Sequence, residues 1–138
     1  MSVGAILTYL QNNDVKFLND SMLGHLLKWA FPKRSKKSKW YVSYSEYEYW
    51  FWPPYLAGGS ILTHINVVKR IYHAFPFVRY IHIDDAFVGI VANFLRIMLI
   101  HEKRLSFDYI EPSKVASYFS SHGYGLRGKL KEAWQQLL

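Results

Sequence analysis

Asp84 and Asp85 form the only adjacent carboxylate pair among the ten acidic residues of this 138-residue chain. They follow the apolar run Tyr80-Ile81-His82-Ile83 and precede Ala86-Phe87-Val88, which is the address of a strand-to-helix junction walled by apolar neighbours. A carboxylate held there acts as a general base when burial lifts its pKa toward the working pH, while its neighbour holds a hydroxyl or orients the helix end. The pair also has a purely structural reading, because an Asp at a helix start caps free N–H groups and complements the helix dipole. Spacing alone leaves both readings open.

The other chemistry-bearing residue types form fewer patterns. The six histidines include no His-Glu-x-x-His and no pair on one helix face. His64 and His122 lie beside Gly-rich segments, where a side chain reaches a ligand, although loop histidines are usually just solvated. Gly58-Gly59 is not followed by the Lys-Ser/Thr of a phosphate loop and does not complete Gly-x-Gly-x-x-Gly. No Gly-x-Ser-x-Gly occurs. The chain has no cysteine, so it has neither a disulfide framework nor a thiolate metal site. Tyr47, Tyr49, Trp50, Trp52 and Tyr55 make a candidate aromatic wall of the kind that packs on the C–H faces of sugars. They could as easily be core, and by ring count alone core is the better reading.

The elements that must position these residues follow from pattern. Residues Ile6–Leu10 read as the tail of a helix, and Ser21–Trp29 as a buried strand with Gly24 at a point of close approach. Trp40–Trp52 is dense in aromatics and suits a pleated surface or an irregular wall. Pro53-Pro54 forces a turn that leads into Leu56-Ala57-Gly58-Gly59-Ser60, read as a loop, and Ile61-Leu62 as a short strand. Val67, Val68, Ile71 and Tyr72 have helical spacing up to Pro76. Tyr80–Ile83 reads as a short strand feeding a helix from Asp84 to about Arg96, apolar enough to be buried on both flanks. Short extended pieces up to Ser120 follow, then a closing helix over 127–138 with Leu130, Trp134 and Leu137 on one face.

Length fits one domain, residues 1–138. With 51% hydrophobic and 18% aromatic residues the chain is too apolar to be disordered. No run approaches the ~20 apolar residues of a membrane span, because the stretch around Phe87–Ile100 carries Asn93 and Arg96. The N-terminus has no basic n-region of a signal peptide. The net charge of +7 is concentrated in Lys33-Arg34-Ser35-Lys36-Lys37-Ser38-Lys39, which reads as a solvated loop. Its alternative, a nucleic-acid patch, predicts steeply salt-dependent polyanion binding.

Three ordered segments resemble the beta-1,3-galactosyltransferase family. The first runs Lys39-Trp40-Tyr41-Val42-Ser43, Glu46-Tyr47 and Trp52-Pro53-Pro54-Tyr55-Leu56-Ala57-Gly58-Gly59; the second is Val67-Val68-Lys69-Arg70-Ile71-Tyr72; the third is Ile83-Asp84-Asp85-Ala86-Phe87-Val88-Gly89. Gly24 and Pro32-x-Arg34 fall in register upstream, and His122, Leu130 and Trp134 are similar to the family's closing pattern. The resemblance implies an α/β, GT-A-like fold of which this is the C-terminal, acceptor-side half, and an inverting transfer of a hexose, by default galactose, from a UDP-sugar to a glycan acceptor in protein glycosylation. It further implies Asp85 as the base with Asp84 beside it, Trp52, Tyr55, Gly58 and Gly59 at the acceptor, and His122 offered to a Mn²⁺ ion. Golgi membrane residence, on the lumenal side, is the family expectation; no nucleic acid enters it. The family's Asp-x-Asp is expected just upstream of Ile6, and none occurs in these residues. Catalysis by this chain alone is therefore expected to be absent or impaired, and the alternative is a non-catalytic carbohydrate- or partner-binding remnant.

Overall fold

The computed structural model describes residues 1–125 and 128–136. Its centre is a mixed three-stranded sheet in the order β2-β1-β3. β1 (Ser21–Leu27) lies in the middle, antiparallel to β2 (Tyr55–Thr63) and parallel to β3 (Met98–His101). α1 (Val3–Asn12), α2 (Ile65–Ala74) and α3 (Asp84–Phe94) complete an α/β domain, with α4 (Lys129–Gln135) at the end of the described chain. β1 is central because Ser21 to Gly24 are all buried, as expected of a strand covered on both faces.

Three apolar clusters hold these elements. Met22, Leu56, Val67, Ile71, Phe87 and Val91 pack α2 and α3 on one side of the sheet. Each such fully buried aliphatic side chain contributes about 1.5–3 kcal/mol. Leu18, Leu23, Leu105 and Phe119 form a second cluster beneath α1, and Val42, Trp52, Ile81 and Ala86 form a third at the start of α3.

Several elements differ from the sequence reading, each for an identifiable reason. α1 is a complete helix from Val3, capped by the Ser2 hydroxyl, which accepts from Ala5 N at 3.4 Å. The segment Leu56–Ser60 is strand, not loop. The pairing slips there: Gly24 faces Ile61 but Leu26 faces Leu56, so Ala57, Gly58, Gly59 and Ser60 stand opposite His25 alone. Such a bulge uses glycines without breaking the strand. Tyr80–Ile83 forms no strand; it alternates, with Ile81 buried and Tyr80 and His82 exposed, but no neighbouring strand pairs with it. Trp40–Trp52 is irregular, and β1 stops at Leu27, before Trp29.

α3 ends at Phe94 rather than Arg96. Ile97 N donates to Ala92 O at 2.9 Å and Arg96 N to Asn93 O at 3.1 Å, the paired bonds of a Schellman stop, and Arg96 occupies the left-handed position with φ 55°. The usual glycine signal is absent, so the sequence pattern runs past the true end. The helix is not buried on both flanks either, since Asn93 and Phe94 face outward. In α4 only Ala133 is buried, while Leu130 and Trp134 are exposed. Residues 127, 137 and 138 of the expected closing helix lie outside the described residues. No helix among the described residues is long and apolar enough to cross a membrane.

α3 crosses β2 at Gly89. A Cβ there would collide with Tyr55 Cβ and sit 3.1 Å from Tyr55 Cα, so the helix approaches the strand backbone as closely as it does only because the side chain is missing. Gly4, in α1, meets nothing within 4 Å. Gly89→Ala is expected to cost about 1–3 kcal/mol of stability through overpacking, whereas Gly4→Ala is expected to gain about 0.5–1 kcal/mol from helix propensity. Urea denaturation of the two variants beside the parent checks both signs.

Candidate active site

The four-residue spacing of Asp85 and Gly89 puts them on one face of α3. Gly89 seats the helix on Tyr55, and one turn earlier Asp85 therefore lies over the bulge of β2. Gly58 N donates to Asp85 Oδ2 at 3.3 Å. The other oxygen, Oδ1, accepts from Ala86 N at 2.8 Å, and Asp84 Oδ1 accepts from Asp85 N at 2.9 Å. The helix N-cap is Ile83, which has no side-chain cap. The structural and chemical readings of the pair thus share one carboxyl group: Oδ1 satisfies a free N–H of the first turn, and Oδ2 points at the glycine bulge.

Burial raises the Asp85 carboxyl above its ordinary value. The N–H groups of Ala86 and Gly58 pull it back, and the Asp84 carboxylate pushes it up. Tyr55, half-buried beside it, is raised as well, by burial first and by the Asp85 charge second. A carboxylate poised in this way takes a proton more readily than a solvated one, and the exposed Gly58 and Gly59 leave room beside it for a ligand.

His122 reaches the same bulge one residue along. A Cβ on Gly59 would lie 3.7 Å from His122 Cδ2, and the imidazole stacks on Phe107 with ring centroids 5.6 Å apart. No hydrogen bond or ion pair among the described residues joins His122 to Asp85. Nor do the described residues contain any group of three or more His, Asp or Glu side chains able to hold a metal ion. Manganese takes an oxygen-rich shell, and the described residues supply fewer donors at the bulge than such a shell takes.

Trp52 is 6% exposed and belongs to the third core cluster, together with Ala86, its ring tilted against Tyr47 with 4.3 Å between centroids. Its backbone N–H donates to Ala30 O at 2.9 Å. It supports the start of α3 from beneath and reaches the surface only as part of an open groove of about 660 Å³, where Tyr47, Tyr49, Trp50 and Ile90 also appear. Asp85 does not line that groove. His64, beside the glycines in sequence, is the N-cap of α2, its Nδ1 accepting from Asn66 N at 3.2 Å.

Two positioning residues escape a reading of motifs as chemistry. Arg34, outwardly one more cation of the basic run, donates to the carbonyls of Val42, Tyr47 and Tyr49 at 2.9, 2.7 and 2.9 Å. Glu46 accepts from Ser43 N at 2.8 Å and Ser43 Oγ at 2.6 Å, and its other oxygen lies 3.5 Å from His82 Nδ1. The Ser43 bonds hold the Glu46 carboxyl below its usual value. Together they fix the irregular aromatic segment against the residues that enter α3. The signal available in sequence was an Arg two residues after Pro32 within an otherwise lysine run.

A half-buried carboxylate at a helix start, facing a glycine-bulged strand, can take a proton from a polar ligand placed at that bulge. The comparison with known sequences makes this specific. A sequence model of the galactosyltransferase family matches residues 1–103. The chain is 32% identical over 116 residues to beta-1,3-galactosyltransferase brn of Drosophila melanogaster, covering 82% of this chain and 35% of that protein. It is 30% identical over 135 residues to lactosylceramide 1,3-N-acetyl-beta-D-glucosaminyltransferase B of Xenopus laevis, covering 95% and 35%. To human lactosylceramide 1,3-N-acetyl-beta-D-glucosaminyltransferase it is 34% identical over 89 residues, covering 64% and 24%. The chain belongs to the galactosyltransferase family, whose members transfer glycosyl groups, and it spans about a third of the length of the first two relatives.

Two outcomes follow from this geometry. Because the folded pKa of Asp85 is raised, ionisation there opposes folding: the parent is best placed relative to an Asp85→Asn variant at low pH, and it loses ground as pH rises through the raised pKa. Thermal melts are expected to show the variant at least as stable as the parent at pH 7, with the difference shrinking or reversing near pH 3.5. Arg34→Lys, which leaves one ammonium to serve three carbonyls, is expected to cost about 1–3 kcal/mol in the same melts.

Proposed function

We propose that this chain provides the acceptor-side half of an inverting hexosyltransferase, with Asp85 as the base. The observation that carries the reading is the Asp85 carboxylate, raised by burial and aimed through Oδ2 at the exposed Gly58-Gly59 bulge. In the reaction an acceptor hydroxyl gives its proton to Asp85 while its oxygen attacks the anomeric carbon of a UDP-hexose. The bond from that carbon to the diphosphate oxygen breaks, UDP leaves with the electron pair, and the configuration inverts. Asp84 restrains the Asp85 backbone through its 2.9 Å bond, and Tyr55, Gly58 and Gly59 border the space for the acceptor.

The donor sugar is galactose by default, and the acceptor a glycan in protein glycosylation; the relatives named for lactosylceramide support a glycan on lipid as well. Golgi lumenal residence belongs to the same reading. Manganese dependence in this account rests on donors other than these residues, with His122 as at most one ligand.

The aromatic groove supports a second reading, a domain that binds carbohydrate without transferring it. Titration calorimetry with UDP-galactose and Mn²⁺, beside a UDP-release assay, on the parent and Asp85→Asn separates the two. The transferase reading predicts UDP-galactose binding and, from a chain impaired on its own, residual release that falls at least about 10²-fold in the variant. Equal release from both proteins contradicts Asp85 as base, and glycan binding with no UDP-galactose binding by either protein favours the second reading.

A further inference from the structure

Asn19-Asp20-Ser21 is the one place in the chain where a hydroxyl residue stands two positions after an asparagine. Asn12, Asn13, Asn66 and Asn93 are followed at that distance by Asp14, Val15, Val68 and Leu95. Asn-x-Ser, with x not proline, is the acceptor signal for N-linked glycans in chains that enter the secretory route. Three residues are a weak signal alone, and the fold has to leave room for the sugar.

It does so at Asn19. The residue closes the short helical turn Lys16–Asn19 between α1 and β1 and is exposed, and no hydrogen bond among the described residues uses its side chain. Asp20 is exposed as well and pairs with Arg70 at 2.8 Å. The position is remote from the site at Asp85. Ser21 and Met22 pair with Met98 and Thr63, at the opposite end of the ladder from Leu27 and Tyr55. Ser21 and His25, which faces the bulge, are roughly 13 Å apart along the strand, so a glycan here leaves Gly58 and Gly59 open.

Ser21 is placed differently. It is 2% exposed, its Oγ donates to Phe17 O at 2.7 Å, and its carbonyl accepts from Thr63 Oγ1 at 2.7 Å. The folded chain therefore presents the asparagine and hides the hydroxyl that completes the signal. We infer that Asn19 is an acceptor for an N-linked glycan, attached before β1 joins the sheet. In that step Asn19 Nδ2 bonds to the anomeric carbon of a lipid-diphosphate-linked oligosaccharide. The bond from that carbon to the diphosphate oxygen breaks, the lipid diphosphate leaves with the electron pair, and the amide gives up one proton. The inference rests on the lumenal residence proposed above and not on Asp85 as base.

The test is translation of the chain behind a cleavable secretory leader with microsomal membranes, read by gel mobility before and after endoglycosidase treatment and by peptide mass at Asn19. One discrete, enzyme-reversible shift is expected in the parent and in Ser21→Thr, and none in Asn19→Gln or Ser21→Ala. Folded parent chain, made without the leader and given to the same membranes after detergent permeabilisation, is expected to stay unmodified while a short Asn-x-Thr peptide is modified beside it. No shift in the leader-directed parent, or a shift that survives Asn19→Gln, overturns the proposal, and modification of the folded chain overturns its order of events. A glycan on the leader-directed chain that is missing from the protein in its own cells upholds Asn19 as an acceptor and contradicts lumenal residence; the UDP-release comparison of the parent with Asp85→Asn is independent of either result.

Discussion

The contact between Gly89 of α3 and the backbone of Tyr55 governs the geometry of the site. Side chains normally hold a helix off a strand; one missing Cβ lets this helix settle onto Tyr55, just after Pro53-Pro54. The consequence one turn upstream is that a carboxylate at the helix start meets the backbone of the same strand, β2, at Gly58. Tyr55 belongs to both contacts, because it receives Gly89 and borders Asp85. A loss of fit at Gly89 would therefore displace the carboxylate as well as reduce stability, which ties packing and chemistry to a single glycine.

The second constraint is the bulge of β2. A regular ladder would have placed a side chain at every second position of this edge; the register slip instead presents two glycines where Asp85 and His122 approach. Around this core the irregular segment from Trp40 to Trp52 has no ladder bonds to define it. Its definition comes from Arg34, which gathers three carbonyls, and from Trp52, which is held to Ala30 and clustered with Ala86. Polar groups buried or half-buried in irregular backbone need such partners, and here a residue from the basic run supplies them.

Much of this was legible in the sequence because the signals were local. The Asp84-Asp85 junction, the helix before Pro76 and the strand from Ser21 each announce themselves through a break or a period. The family motifs also marked the right segments, but what several of them do is structural: Trp52 is core, Arg34 and Glu46 hold a loop, and Gly89 makes room. What remained hidden was non-local. The strand nature of Leu56–Ser60 depends on a partner thirty residues earlier, the failure of Tyr80–Ile83 to become a strand depends on having none, and the end of α3 is made by an arginine in a conformation usually given to glycine. The metal expectation came from resemblance alone, and among the described residues His122 stands beside the bulge outside any group of three donors.

The account turns on whether Asp85 is held by burial in a state ready to accept a proton. Carbon-detected NMR titration of the Asp side-chain carboxyls, with Asp85 assigned by comparison to the Asp85→Asn variant, measures this directly. The account predicts that Asp85 titrates above the ordinary carboxylate range and above the other aspartates. A midpoint at or below the ordinary value would contradict it, since the helix dipole and the two backbone N–H groups would then outweigh burial and leave Asp85 a capping residue.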